Sequence, residues 1–439
     1  MIAARAWAGR DFAVLGLARS GRATVAALLE SGARVTAWDE SAAARDQLLL
    51  DRPSTSSGGP GRDAGAALIL ADPLTCDLTG FAGVATSPGI PINTHPITAH
   101  AARCGVPLIG DIELFAQARA ELPPHRVVGI TGTNGKSTTT ALVHHIIRTA
   151  GIPTLMGGNI GLPILAQTPL PAGGIYVLEL SSFQIDLTQS LACDVAVLLN
   201  VTPDHLDRYD GFAAYAHAKE RLFEMQPAGM AVIAVDDPTT QAIAARHPRA
   251  ARVSAGAVMD QAHYPALQGP HNAQNIAAAR AVADGLGIPA DAVESALRSY
   301  PGLPHRMERV AERGGILFVN DSKATNPASA APALAAFPRI RWILGGRAKT
   351  ADLDACRPYF GHVRSAYTIG EAGPGYAQIL AAHLPVRECG TLAEAVRQSA
   401  GDAEQGDVVL LSPACASFDQ FRDFEARGDA FRAAVGALA

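Results

Sequence analysis

Residues 131–138, TGTNGKST, have the composition of a loop that binds phosphate. They follow an apolar, strand-like run at 126–130 and precede a helix predicted over 139–150. Glycines let backbone N–H groups surround phosphate oxygens, a lysine neutralises their charge, and a serine hydroxyl can ligate Mg²⁺. The strict pattern has its first glycine where this chain has Ile130. The context still predicts a nucleotide-phosphate site, and a glycine-rich turn without phosphate is the alternative.

Two further apolar runs, at 174–180 and 195–200, end in polar residues. The first run contains Glu179, and His205 lies in the segment NVTPDHLDRY that follows the second. Continuous apolar runs are typical of parallel strands buried on both faces, and ligands bind where the carboxyl ends of such strands meet. Glu179 and His205 are therefore predicted, with Ser137, to hold a metal ion. A structural role for each is the alternative.

A strand, glycine turn, helix and strand are predicted over 11–41, and this pattern indicates a site for a nucleotide diphosphate. The turn contains Gly16 and Gly21, and Asp39 ends the second strand, where a carboxylate can reach a ribose. A second turn, at 86–91, could present backbone donors to the same ligand. Dehydrogenases share this outline, so a nicotinamide-dependent oxidoreductase is an alternative.

Three strand-like runs in the last third of the chain each precede a cluster of small and polar residues. These clusters are DSKATN at 321–326, GGRAK at 345–349 and SPACASFDQF at 412–421. Proline-containing boundaries are predicted near 123 and 301. We therefore predict an α/β protein of three domains: a Rossmann-like domain at 1–122, a central P-loop ATPase-like sheet at 123–300, and a C-terminal Rossmann-like domain at 301–439. A flexible insertion without chemistry is predicted at 53–65.

Composition excludes several classes of protein. The 439 residues are 48% hydrophobic and 18% charged with a net charge of −5, which argues against a disordered chain, a nucleic-acid-binding surface and an anionic-membrane surface. No apolar run approaches the ~18 residues that would span a bilayer. The six cysteines show no CxxC and predict free thiols. Together with a start unlike a signal peptide, this predicts a cytoplasmic protein.

Lysine is rare: the 36 basic residues include only Lys136, Lys219, Lys323 and Lys349. A chain that uses arginine as its general cation can keep lysine where a compact charge, or an amine that loses its proton, is needed. We therefore predict that the four lysines serve one anion-rich reaction centre. Solvated surface positions are the alternative.

Together, the phosphate loop, NVTPDHLDRY, DSKATN and LSPACAS at 411–417 resemble the Mur ligases of bacterial peptidoglycan synthesis over essentially the whole chain. The DSKATN run points to the glutamate-adding branch. The resemblance implies that ATP phosphorylates the terminal carboxylate of UDP-N-acetylmuramoyl-L-alanine, and that the amine of D-glutamate attacks the acyl phosphate. It also implies two Mg²⁺ ions and a carbamate formed from CO₂ on Lys219, which arginine could not form.

The same resemblance assigns roles to individual residues. The catalytic residues would be Lys136, Glu179, His205 and Lys219, and the metal ligands Ser137, Glu179, His205 and carbamylated Lys219. ATP would contact Gly132, Thr133, Asn134, Gly135, Lys136, Ser137, Thr138, Asn272, Asn275, Arg306 and Asp321. The UDP-sugar would contact Arg19, Ser20, Ser87, Gly89, Asn159 and His205. D-Glutamate would contact Lys323, Thr325, Lys349, Ser417 and, through the backbone N–H, Phe424.

Two departures from the family pattern accompany these assignments. Glu40-Ser41 stands where some relatives have Thr and Arg, so the uracil contacts stay undefined, and Arg347 stands where an acid is common. Another Mur-type or folylpolyglutamate-type ligase is the main alternative, although the Asp-Asn-Pro-Arg-like motif of some relatives is absent. A dehydrogenase would leave the phosphate loop unexplained, and a non-catalytic P-loop protein would not need Lys219. Small-molecule substrates and a monomer are expected, with no nucleic acid and no membrane insertion.

Overall fold

The computed structural model describes residues 1–51, 67–226, 228–257 and 260–438. The chain divides into two compact units. The first unit comprises Met1–Val253 and Ala278–Glu294, and the second comprises Ser254–Ala277 and Ser295–Ala439. The insertion predicted at 53–65 lies outside the described residues.

The first unit begins with a parallel sheet of five strands. The strands are β1 Asp11–Leu15, β2 Arg34–Trp38, β3 Ala67–Leu70, β4 Gly83–Thr86 and β5 Leu108–Ile109. The helices of this part are α1 Arg19–Glu30, α2 Ala42–Leu50, α3 Pro96–Cys104 and α4 Asp111–Ala118. The strand order is β3-β2-β1-β4-β5, so the chain changes direction across the sheet at β1. The glycine turn lies at the carboxyl end of β1, where a doubly wound sheet binds ligands.

A second parallel sheet of six strands follows in the same unit. The strands are β6 His125–Thr131, β7 Thr154–Gly158, β8 Gly174–Glu179, β9 Val195–Leu198, β10 Met230–Ala234 and β11 Ala251–Val253. The helices are α5 Lys136–Thr149, α6 Ser182–Asp186, α7 Gly211–Glu224 and α8 Pro238–Arg246. In the order β11-β10-β9-β6-β8-β7, the strand β6 lies between β8 and β9. The segments that follow these three strands therefore meet at one edge.

The second unit contains the third sheet, and two helices, α9 Pro270–Gly285 and α10 Ala290–Ser299, precede it in the chain. The strands are β12 Glu308–Arg313, β13 Ile316–Asn320, β14 Ile340–Gly345, β15 Val363–Ile369, β16 Val386–Gly390 and β17 Val408–Leu411. The remaining helices are α11 Pro327–Ala335, α12 Gly373–Ala381, α13 Leu392–Asp402 and α14 Phe424–Gly436. The order is β12-β13-β17-β14-β15-β16, and only the β12–β13 pair among these neighbours is antiparallel.

Burial explains why these strands form sheets covered on both faces. One hydrophobic cluster includes Val14 and Phe115 near the first sheet and Tyr176 of the second, so the two sheets of the first unit share a core. In the third sheet, Trp342 belongs to the cluster on one face and its neighbour Ile343 to the cluster on the other. Side chains alternate along a strand, so a strand with both faces covered must be continuously apolar.

The predicted α/β class, with its parallel sheets, is confirmed. The strands of each sheet fall within one of the three predicted domain ranges, while the boundaries themselves stay a prediction. The sequence analysis did not predict β12, because ERVAER lacks the apolar pattern of a buried strand. All six cysteines are free thiols. In the described part of the chain, no helix has the length and apolar content needed to cross a bilayer.

Candidate active site

The loop 132–135 lies between β6 and the first turn of α5. Gly132 and Gly135 have φ angles of +151° and +83°, in the region that favours glycine. The loop is fixed from the side of β9: the N–H groups of Thr133 and Asn134 donate to the backbone and side-chain oxygens of Asn200, at 2.8 Å each. The glycine loop therefore lies at the N-terminus of a long helix, where anions are favoured, and its binding of phosphate stays a prediction.

Two lysines meet at the carbonyl oxygen of Gly132. The Nζ of Lys136 donates to this oxygen at 2.8 Å and to the carbonyl of Thr133, and the Nζ of Lys219 on α7 donates to it at 2.9 Å. Lys219 is 1% exposed. Burial, followed by the charge of Lys136, holds the pKa of Lys219 well below its ordinary value. The structure thus brings together two of the four predicted lysines and removes the alternative of a solvated surface position for Lys219.

Glu179 lies at the carboxyl end of β8, where the strand register pairs it with Ile130 of β6, just before the phosphate loop. Its side chain is buried, and Oε1 accepts a hydrogen bond from Nδ2 of Asn159 at 2.9 Å. Its Oε2 is buried and has no hydrogen-bond partner within the described ranges. A buried carboxylate oxygen without a donor is costly unless a cation completes it. The hydroxyl of Ser137, buried at the start of α5, is a second oxygen donor of the kind that Mg²⁺ prefers.

His205 lies in the long segment after β9, with φ of +52°. Its ring is about half exposed, contacts the ring of Phe183, and has Nε2 3.5 Å from the carboxylate of Asp204. No group of three His, Cys, Asp or Glu side chains in the part of the chain that is described could hold a metal ion. The predicted ligand set contains only two such residues, so His205 as a ligand stays a prediction.

Four of the six predicted UDP-sugar residues belong to the part of the chain that contains the first sheet, whereas Asn159 and His205 follow strands of the second. Arg19 and Ser20 begin α1, and Ser87 donates its hydroxyl to the carbonyl of Gly16 at 3.0 Å. Gly89, in the second turn, is exposed, and its carbonyl accepts from Arg208 at 3.4 Å. Arg208 also donates to the carbonyl of Ile90 at 2.7 Å, so the NVTPDHLDRY segment and this turn are in contact.

Asp39 lies beside the glycine turn, as the βαβ pattern predicts, but its carboxylate binds the protein itself. It accepts from the backbone N–H groups of Leu17 at 2.7 Å and Ser41 at 2.9 Å. Oδ2 thus holds the glycine turn and Oδ1 the start of the next segment. Each oxygen can accept a further hydrogen bond, so a contact with a ribose stays a prediction.

Four predicted ATP contacts belong to the second unit. Asn272 and Asn275 are buried in α9 and hydrogen-bonded to each other at 3.0 Å. Asp321 follows β13, is buried, and accepts from the hydroxyl of Ser412 at 2.8 Å. Burial raises the pKa of Asp321 to about 7. Arg306 is partly buried in a segment where both neighbours, His305 and Met307, have positive φ.

The predicted D-glutamate residues follow three strands of the third sheet. Lys323 comes after β13, with Nζ 3.7 Å from the ring centroid of Phe424, the first residue of α14. Thr325 is partly buried, and Ser417, after β17, is 2% exposed. Lys349, after β14, is exposed. Arg347, which stands where the family often has an acid, pairs with Glu371 at 3.0 Å.

The sequence analysis missed Arg427 on α14. This side chain is 1% exposed, and its guanidinium donates to the carbonyls of Ser322 and Cys415 at 2.8 and 3.0 Å. A signal was present in the sequence. Arg427, Phe431 and Val435 recur every four residues, so the arginine occupies the apolar face of its helix.

Comparison with known proteins identifies the family to which the chain belongs. The Mur ligase middle domain matches residues 130–264, and the Mur ligase glutamate ligase domain matches residues 305–415. Proteins named UDP-N-acetylmuramoylalanine–D-glutamate ligase are similar to the whole chain. That of Novosphingobium aromaticivorans is 61% identical over 100% of this chain and 97% of its own length. That of Sphingopyxis alaskensis is 59% identical over 100% of both chains.

Solved structures show the same fold at low sequence identity. UDP-N-acetylmuramate–alanine ligase MurC of Thermotoga maritima has a TM-score of 0.57 and 15% identity over 98% of this chain and 99% of its own. Escherichia coli FolC, in complex with ADP, has a TM-score of 0.53 and 20% identity over 74% of this chain and 93% of its own.

The sheets and the glycine loop define a P-loop fold, and the names of the relatives define a ligase that uses ATP. The chain belongs to the Mur ligase family of peptidoglycan synthesis, as the sequence resemblance predicts.

Proposed function

We propose that this protein joins D-glutamate to UDP-N-acetylmuramoyl-L-alanine with ATP. The observation that carries the proposal is the meeting of the phosphate loop, Glu179 and buried Lys219 at the carboxyl edge of the central sheet. The names of the relatives, which are 57–61% identical, support the glutamate-adding activity within the family.

The reaction begins with transfer of the γ-phosphoryl group to the alanyl carboxylate, which gives an acyl phosphate and ADP. The neutral amine of D-glutamate then attacks the acyl carbon, loses a proton, and phosphate leaves as the amide forms. Charge neutralisation and alignment dominate phosphoryl transfer between anions. The N-terminus of α5 and the ammonium of Lys136 suit this task, because both place positive charge beside the loop.

A bound Mg²⁺ would supply charge that neutralises the phosphate oxygens. The residues present fit such an ion. Glu179 offers a buried carboxylate oxygen that accepts from no donor among the described residues, and Asn159 holds the other oxygen in place. Ser137 would contribute its hydroxyl. A second ion, with His205 among its ligands, is part of the proposal.

The environment of Lys219 supports a carbamate at this side chain. A neutral amine attacks CO₂ and releases a proton, which converts the lysine into an anionic carbamate. Burial and the neighbouring Lys136 favour the neutral amine. The carbamate would place a negative charge beside the phosphate loop, where it would bind a cation or pair with Lys136.

The substrate contacts predicted from sequence complete the proposal. Ser87 and the first turn of α1 would hold the uridine diphosphate, and Asn272, Asn275, Arg306 and Asp321 would contact ATP. Lys323, Thr325, Lys349, Ser417 and Phe424 would bind D-glutamate. We also propose that the protein acts on small molecules, as a monomer, in the cytoplasm where ATP and the UDP-sugar are formed.

The test is phosphate release from ATP in the presence of UDP-N-acetylmuramoyl-L-alanine and one amino acid. D-Glutamate, L-glutamate, L-lysine and meso-diaminopimelate are compared, with a reaction lacking any amino acid as the control. We expect release with D-glutamate well above each of the others. Release that depends on another amino acid alone contradicts the proposed acceptor, and reduction of a nicotinamide cofactor would instead indicate an oxidoreductase.

A further inference from the structure

The guanidinium of Arg427 is a single point of contact for the segments that carry the predicted D-glutamate residues. Its Nε donates to the hydroxyl of Ser322 at 3.0 Å, and Nη2 donates to the carbonyls of Ser322 and Cys415 at 2.8 and 3.0 Å. Nη1 lies 3.5 Å from the carbonyl of Gly345. These acceptors belong to the three segments 321–326, 345–349 and 412–417, which begin just after β13, at the last residue of β14 and just after β17.

Each of these segments carries residues predicted to bind the amino acid. Ser322 precedes Lys323 and Thr325, Gly345 begins the segment with Lys349, and Cys415 lies two residues before Ser417. The hydroxyl of Ser322 also donates to the carbonyl of Phe424 at 2.8 Å. Arg427 therefore joins the first turn of α14 to all three segments.

The planar guanidinium suits this arrangement better than any other side chain. Its N–H groups point in fixed directions, so carbonyls from three segments can be held in one geometry. The surroundings are tightly packed: a Cβ added to Gly346 would lie 3.2 Å from Nη1. The acceptors are carbonyls and a hydroxyl, so the positive charge has no directly bonded carboxylate within the described ranges.

We infer that Arg427 is the positioning residue of the amino-acid subsite, holding the segments 321–326, 345–349 and 412–417 in the geometry that binds D-glutamate. The inference rests on the proposed function for the identity of the amino acid. Arg427 acts through the segments and does not itself contact the substrate. Its buried charge also favours a site for an amino acid that carries two carboxylates.

The test compares Arg427→Lys and Arg427→Met in steady-state phosphate release. Lysine keeps the charge but loses the fork of donors, and methionine keeps much of the volume but loses both. We expect the KM for D-glutamate to rise about 10-fold or more in both variants, the order of effect seen when supporting hydrogen bonds are lost. The KM values for ATP and the UDP-sugar should change less than about threefold. Equal rises in all three KM values, or an unchanged KM for D-glutamate in a folded variant, overturn the inference.

Two further measurements keep the test decisive. Ser322→Ala removes only the hydroxyl between Arg427 and Phe424, and it should raise the KM for D-glutamate by a smaller factor than the Arg427 variants. It takes their place in the test if they do not fold. Amide hydrogen exchange of the ligand-free protein should increase in the three segments of Arg427→Lys. Arg397→Met is the matched control, because Arg397 is exposed and pairs with Glu394 on its own helix.

The exchange measurement also separates this inference from the proposed function. If the wild-type protein does not use D-glutamate, the proposed function fails while increased exchange in the three segments still supports the positioning role. If the wild-type protein is active and exchange in Arg427→Lys equals that of the control, the positioning role fails alone.

Discussion

At the scale of single residues, the candidate site depends on groups whose charge is set by burial. Lys219 and Lys136 share one carbonyl acceptor, although two ammonium groups so close repel each other. The conflict is relieved if Lys219 is neutral, which its 1% exposure also favours. A buried neutral amine beside a phosphate loop is a nucleophile, whereas a guanidinium in the same place would stay charged.

The first prediction concerns this amine. Lys219→Arg should lower the rate of phosphate release about 100-fold or more, because a guanidinium cannot form the carbamate and adds a fixed positive charge. A carbamate carbon signal should appear in the ¹³C spectrum of wild-type protein with labelled bicarbonate and be absent from the variant. His217→Arg, which adds a guanidinium at an exposed position on the same helix, is the control. Normal rates for Lys219→Arg, with or without added CO₂, would show that no carbamate is needed.

The second prediction concerns the unpartnered oxygen of Glu179. Glu179→Gln keeps the shape of the side chain and an acceptor for Asn159, but removes the charge that a cation would neutralise. The Mg²⁺ concentration for half-maximal phosphate release should rise at least about tenfold, since even indirect partners of metal ligands have effects of that size. Glu224→Gln, at an exposed acid of α7, should leave the titration unchanged. An identical Mg²⁺ titration in Glu179→Gln would contradict a role in metal binding.

At the scale of elements, close contact between backbones fixes the position of Asn159. Gly158 ends β7 with φ of +88°, and a Cβ there would lie 2.1 Å from the carbonyl oxygen of Glu179. The N–H of Asn159 donates to that same oxygen at 2.8 Å. Only glycine allows β7 to approach β8 so closely, and this approach places the amide of Asn159 on the carboxylate of Glu179.

The third prediction separates the effect of the close contact between Gly158 and Glu179 from the effect of a strained backbone conformation at Gly158. Gly158→Ala should lower activity about tenfold or more and lower the melting temperature, because the added methyl forces the two strand ends apart. Gly151→Ala is the matched control: its φ is +76°, but an added Cβ would lie within 4 Å of no atom in the described part of the chain. Both variants carry the cost of a left-handed alanine, roughly 1 kcal/mol. Equal activity in the two variants would mean that the contact with Glu179 does not matter.

Much of the fold and part of the site could be predicted from sequence, because an apolar run followed by polar residues marks the end of a buried strand. Apolar runs buried on both faces predicted the parallel sheets, and the polar residues after them included Glu179 and the phosphate loop. Local pattern could not predict β12, whose partly exposed ERVAER has no strong periodicity. It also could not show that Asp39 accepts a hydrogen bond from Leu17 in the glycine turn, or that Arg427 joins three segments. Both contacts join residues that are distant in the sequence.

At the scale of the whole molecule, the sheets of the first unit are coupled by more than their shared core. Glu113 of α4 accepts from the backbone N–H groups of Gln189 and Ser190, at 2.7 and 2.9 Å, near the start of β9. Gly110, just before α4, donates to the carbonyl of Leu187 at 2.9 Å. A substitution at the N-terminus of α4 should therefore change the free energy of unfolding of the whole first unit, which contains both sheets.

Asp111, the first residue of α4, gives the fourth prediction. Burial raises the pKa of its carboxyl to about 6, against partial compensation by hydrogen bonds such as that from the N–H of Ile112. The folded protein therefore binds more protons than the unfolded chain between about pH 4 and pH 6. Stability rises with pH only where the unfolded chain binds more protons, so this carboxyl lowers stability as the pH rises through that range.

Asp111→Asn removes this titration. The free energy of unfolding of the variant relative to wild type should therefore increase from pH 4 to pH 7, by on the order of 1–3 kcal/mol for a shift of about two pKa units. Denaturant titrations at several pH values, followed by tryptophan fluorescence, measure the difference. Asp77→Asn should give the opposite sign, because hydrogen bonds from Thr79 lower the pKa of this exposed acid. A difference for Asp111→Asn that is constant from pH 4 to pH 7 would mean that the carboxyl is charged in the folded protein throughout this range. Its buried Oδ1, which has no hydrogen-bond partner among the described residues, would then be solvated.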